Sequence, residues 1–279
     1  MDRVTTLIYT EDLENISFVQ ECKSNGLNCI SIIDARSAVY VATGISAQNQ
    51  SKVAVCVNAG NASRSAFSGM TEAFYRKLPV ALVTVGKKLD YTRELNDAVV
   101  GHYTALNYDD VLELLNGKFP MHIELLVENP EYEKKECDAL QMVLSSVLDK
   151  NTYLYISPGI KKSEVQYMGK VVYGGMPDCY EGAMANVLGA SLARIRKKYI
   201  GLITEDEFIH DINTLGNINM NDLICYIVVS QEKNKMIIDY ATAMKFETCE
   251  VKNDCLKPDD MKRLVLSKNK GLLVLYKEG

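Results

Sequence analysis

Short apolar runs alternate along this chain with stretches in which apolar residues recur at helical spacing, and that alternation sets the first expectation. Residues 29–33, 52–57, 80–85 and 120–127 read as buried strands. So do residues 152–156, 199–203, 223–229 and 271–276, with a shorter run at 171–172. Between them the spacing predicts helices over 12–25, 37–44, 65–76, 108–115, 137–148, 180–194, 209–216 and 235–246. Strands that alternate with helices imply parallel βαβ units, so the expected class is α/β with doubly wound parallel sheets. The stretch 87–107 is polar and mixed and yields no element.

The pattern breaks once, at 128–135, where Pro130 sits among closely spaced acidic and basic residues in the manner of a surface linker. This divides the chain into 1–129 and 130–279, two halves alike in grammar without being a sequence repeat. Each half has one turn, directly after a strand, that stands out chemically: Asp34-Ala35-Arg36-Ser37-Ala38 and Thr204-Glu205-Asp206-Glu207. Strand-to-helix turns are where open α/β sheets place ligands, so one cleft built from both halves is the expectation.

Composition narrows the partners. A net charge of -5 provides no basic field for nucleic acid or an anionic membrane surface. No run of 18 apolar residues suggests a membrane span, and the first residues do not read as a signal peptide. The eight cysteines form no CxxC pair and several lie in strand runs, as expected of reduced, inert thiols in a cytoplasmic protein. His102 and His122 have no partners at metal-ligand spacing in the sequence. His210 reads as a packing or capping residue.

Three stretches in the first half carry a family likeness: Ile33-Asp-Ala-Arg-Ser-Ala-Val-Tyr-Val-Ala-Thr-Gly44, Val53-Ala-Val-Cys-Val-Asn-Ala-Gly-Asn-Ala62, and residues 71–85. In the second half, Cys179-Tyr-Glu-Gly-Ala-Met-Ala-Asn-Val-Leu-Gly-Ala190 and Thr204-Glu-Asp-Glu-Phe-Ile-His-Asp-Ile-Asn213 add to it. Together they resemble the pyrimidine-binding and diphosphate-binding domains of the thiamin-diphosphate-dependent decarboxylases and carboligases. The nearest branch is that of succinyl-enolpyruvyl-cyclohexene-carboxylate synthase and its surface-polysaccharide relatives. The middle domain of the full-length enzymes has no counterpart, a layout similar to sulfopyruvate and phosphonopyruvate decarboxylases.

The resemblance implies thiamin diphosphate with Mg2+, chemistry on a 2-oxo acid, and a homodimer with sites between subunits. It places Asn58, Gly60, Asn61, Glu181, Gly182 and Glu205 beside the cofactor, and Asp206, Ser230 and Gln231 at the metal. The family glutamate that promotes the reactive pyrimidine tautomer falls on Ala35, which has no carboxyl group to exchange a proton. A register slip onto Asp34, an engineered substitution and natural loss are the three readings of that position. In the second half the glycine of the metal motif is replaced by Glu205, and its later asparagine pair by Ser230 and Gln231. Two functions remain open: a lyase or carboligase with an atypical site, or an inactive homologue serving as a binding, scaffolding or regulatory subunit, alone or with an active homologue. A different small-molecule ligand in the old cleft, such as a nucleotide or a cationic metabolite, is a third.

Overall fold

The computed structural model describes residues 3–12, 14–87, 93–127, 144, 148–160, 170–174, 181–193, 196–217, 222–265 and 267–277. Apart from Leu144 and Leu148, the expected helix at 137–148 lies outside them, as does the expected linker at 128–135. The chain divides into two compact units, Met1–Tyr132 and Glu133–Gly279.

In the first unit the elements run β1 (Thr6–Tyr9), α1 (Ile16–Ser24), β2 (Asn28–Ser31), α2 (Ala35–Asn49), β3 (Val53–Asn58), α3 (Asn61–Tyr75) and β4 (Val80–Gly86). A 3-10 turn (Arg93–Ala98), β5 (Gly101–Ala105), α4 (Tyr108–Leu114) and β6 (Met121–Leu126) complete it. All six strands are parallel, in the order β2-β1-β3-β4-β6-β5. Every residue of β3 and β4 is buried. Apolar clusters cover both faces, which explains why these strands read as unbroken hydrophobic runs.

The second unit holds β7 (Thr152–Ile156), β8 (Lys170–Tyr173), α5 (Ala183–Leu192), β9 (Lys198–Thr204), α6 (Glu205–His210), a 3-10 turn (Ile212–Gly216) and β10 (Ile224–Ser230). Then come α7 (Lys235–Ala243), β11 (Glu247–Lys252), α8 (Pro258–Val265) and β12 (Gly271–Tyr276). Its parallel sheet is ordered β11-β12-β10-β9-β7-β8. Counted from the first strand of each unit, both sheets follow one order, 2-1-3-4-6-5. The α/β class with two similar doubly wound parallel sheets is therefore the observed architecture.

Several elements differ from the sequence pattern. The stretch 87–107 does contain structure, the 3-10 turn and β5. Strand β11 reads Glu-Thr-Cys-Glu-Val-Lys because it is a half-buried edge strand, where polar residues stay wet. Helix α8 has Pro258 at its start and Asp259 and Asp260 in its first turn, and it buries Met261, Leu264 and Val265. The expected single helix at 209–216 is instead α6 followed by a 3-10 turn, with Asp211 at the break. Among the described cysteines, Cys22, Cys56 and Cys225 are buried and unpaired in disulfides. Burial pushes the Cys22 and Cys225 thiols up to about 12, which keeps them protonated and unreactive. Among the described residues no helix is long and apolar enough to cross a membrane.

Candidate functional site

Because the first connection in each unit leads to an edge and the next passes back across the first strand, the chain reverses between strands 1 and 3 of each sheet. A crevice opens there at the carboxyl ends of the strands. In the first unit this point lies beyond β1 and β3. Asn58, the last residue of β3, donates from Nδ2 to Asp12 Oδ2, and Asn15 Nδ2 donates to the Thr10 carbonyl at 2.7 Å. Both asparagines are buried, and the Oδ1 atom of each meets no hydrogen-bond donor. Gly60 supplies the turn into α3 with φ of 99°, a conformation that strains any residue with a Cβ. Asn61 is the first residue of α3.

Residues 34–38 start α2. Asp34 is its N-cap, accepting from the Ser37 N–H at 2.8 Å, which satisfies one of the otherwise unpaired first-turn donors. Ala35 is 2% exposed and packs in the cluster that includes Ala38, Val39 and Val57. At this turn the carboxylate belongs to the cap and the next position offers only a methyl group.

The second unit is arranged differently. Beyond β7 and β9, at the corresponding point of the sheet, stands Glu207, a residue 1% exposed. Its Oε2 accepts from the Ser157 hydroxyl, the Thr204 N–H at 2.7 Å and the Thr204 hydroxyl at 2.9 Å, while Oε1 accepts from the Gly159 N–H at 3.1 Å. Thr204 and Glu207 together make a capping box at the start of α6. Gly159 has to be glycine here: a Cβ would lie 2.7 Å from Thr204 Cγ2 and 3.2 Å from the Glu207 carboxylate.

Two further groups complete the neighbourhood. Gly182 sits at φ of 89° ahead of α5, and the N–H groups of Gly182 and Met184 each donate to the Asp211 carboxylate at 2.8 Å. Glu181 is half-buried beside it. At the end of β10, the Ser230 hydroxyl contacts Glu205 Oε2 and lies 2.6 Å from the Glu232 carbonyl, and Asn234 Nδ2 donates to Glu205 Oε1. Of the residues expected at a metal, Ser230 is thus joined to Glu205, a residue expected beside the cofactor. Asp206 and Gln231 are exposed. Asn234 was not singled out in the sequence, although an asparagine four residues past the end of a strand and one before a helix is a legible cap signal.

The sequence also gave no reason to join His102 and His122, and there the structure corrects the expectation. The two lie opposite each other on the paired strands β5 and β6, with ring centroids 4.6 Å apart. Glu124, two residues along β6, places Oε1 3.2 Å from His102 Nε2. Burial lowers the pKa of both histidines; His122, with His102 adding to the effect, is pushed down to about 3.

No family model matches the chain, and no curated protein is similar to it in sequence. Among solved structures it is similar to a thiamine diphosphate-dependent 4-hydroxybenzoylformate decarboxylase of Rhodococcus jostii RHA1, at 8% identity and a TM-score of 0.38, over 99% of this chain and 96% of that one. It is likewise similar to a Mycobacterium smegmatis protein described as a thiamin diphosphate-dependent enzyme, at 8% identity and a TM-score of 0.40, over 99% and 97%.

Proposed function

We propose that this chain is a thiamin-diphosphate-enzyme-fold protein that does not bind or activate the cofactor and serves as a binding, scaffolding or regulatory subunit. The observation that carries this reading is the Glu207 carboxylate. It takes up the N–H and hydroxyl donors of Ser157, Gly159 and Thr204, which are the kind of groups a diphosphate would need. An anion brought to the same place would meet a fixed negative charge, a repulsion of about 4 kcal/mol for unit charges 4 Å apart near a protein surface.

The remaining residues fit the cofactor no better. Asp211 already caps α5, and Glu205 is already paired with Ser230 and Asn234. Ala35 has no proton to exchange with a pyrimidine ring, and Asp34 is held as a helix cap. The alternative reading, a lyase or carboligase acting on a 2-oxo acid, needs both cofactor and Mg2+ in place. Calorimetric titration with thiamin diphosphate and Mg2+ separates the two. The expected result is no saturable heat and no rise in melting temperature at millimolar cofactor. Saturable binding, with CO2 released from a 2-oxo acid, would establish the enzyme instead. A homodimer belongs to the same proposal, and light scattering at two protein concentrations tests it.

A further inference from the structure

We infer that His102, His122 and Glu124 form a binding site for a divalent first-row transition metal ion, of which Zn2+ is the natural probe. Side chains alternate along a strand, so β6 puts His122 and Glu124 on one face, and the register of β5 brings His102 opposite His122. One ligand atom from each of the three residues lies within 4.8 Å of the other two. Tetrahedral bonds of 2.0–2.1 Å hold ligand atoms about 3.4 Å apart. His102 Nε2 and Glu124 Oε1, at 3.2 Å, already stand at that separation. Closing the rest takes a shift of about 1 Å. His102 can supply the part that involves its own ring, because β5 is an edge strand and the side chain is 26% exposed; the rest falls to side-chain rotation of His122 and Glu124 on β6.

The other contacts of the two imidazole rings carry the second part of the argument. His102 Nδ1 meets Asn96 Oδ1, and in the tautomer with its proton on Nδ1 the lone pair of Nε2 faces the carboxylate. A proton on Nε2 would make this contact an ion pair, and a bound cation would take that proton's place between the same two atoms. His122 Nε2 is 2.8 Å from the Thr84 hydroxyl, which leaves Nδ1 buried and without a partner. A ring nitrogen orphaned in a dry environment is destabilising, and a bound ion would give it a partner. Asn96 and Thr84 are thereby the outer groups that fix ring orientation, as partners of metal-bound imidazoles commonly do.

Two imidazoles and one carboxylate favour zinc, iron, cobalt or nickel over magnesium or calcium, which prefer all-oxygen sets. Three protein ligands leave a fourth position open, on the side where His102 reaches solvent. The ion would tie edge strand β5 to β6. This site shares no residue with those on which the proposed function rests, so either can fail alone.

The test is titration of EDTA-treated, dialysed protein with Zn2+ alone, followed by calorimetry and melting temperature, and with Co2+ followed by visible absorption. One equivalent of Zn2+ is expected to bind and raise the melting temperature. The Co2+ spectrum should lack thiolate charge transfer. His102→Ala should weaken binding at least about tenfold while leaving the melting temperature of metal-free protein nearly unchanged. Glu124→Gln gives a second variant of the same size should the first misfold, and should weaken binding likewise. Cys255→Ser should have no effect. No saturable binding at submillimolar Zn2+, a thiolate band, or full binding by His102→Ala would each overturn the site and leave His102 and Glu124 as an ion pair.

Discussion

The two crevices of this protein arise from one strand order, and they are chemically opposite. Beyond β1 and β3, acceptors are in surplus: Asn15 Oδ1 and Asn58 Oδ1 are buried with no donor. Beyond β7 and β9, a single carboxylate matches the available donors, so that Ser157, Gly159 and Thr204 are all served by Glu207. The shared topology decides where a crevice opens. The side chains decide whether its donors stay available, and in the second unit Glu207 takes them up.

The comparison breaks most decisively at Glu207. Glu207→Ala removes a capping box and leaves buried donors of three residues unsatisfied, and should cost about 3 kcal/mol or more in urea unfolding. If the loss is within a few tenths of a kcal/mol, water replaces the carboxylate at no cost and the donors do not depend on Glu207. Gly159→Ala should cost about 1–3 kcal/mol by pressing a methyl group against Thr204 and Glu207, and calorimetric melting reads it directly. Asp211→Ala uncaps α5 and should cost about 1 kcal/mol, seen as faster hydrogen exchange at Gly182 and Met184. The smallest effect is expected in the first unit. Asn58→Ala removes the bond to Asp12 together with an orphaned acceptor, so its net cost should stay below about 1 kcal/mol. A larger loss than that of Glu207→Ala would reverse the contrast between the two crevices.

Much of the fold was legible because its strands are buried on both faces. Residues 53–58, 80–86, 198–204 and 224–230 leave no polar alternation to confuse with helix. What escaped lies at the margins. Strand β1 is a four-residue run, and β11 is half-buried at an edge and keeps a polar sequence. Strand β5 carries only one fully buried residue, Ala105. At the candidate sites the sequence placed Asp34, Ala35 and Glu207 on turns after strands, but not their use. A capping carboxylate and a ligand-binding one look alike until the hydrogen-bond donors around them are known.

The sequence by itself determined the α/β class, the alternation of elements and the absence of a carboxyl group at position 35, since periodicity and residue identity are local properties of the chain. The tertiary structure alone decided that Glu207 takes up the hydroxyl of Ser157 from 50 residues beyond it. It alone set His102 against His122 across a strand pair. Hydrogen bonds and ligand sets are short-ranged in space and unrestricted along the chain, so only the folded register brings such residues within reach of one another.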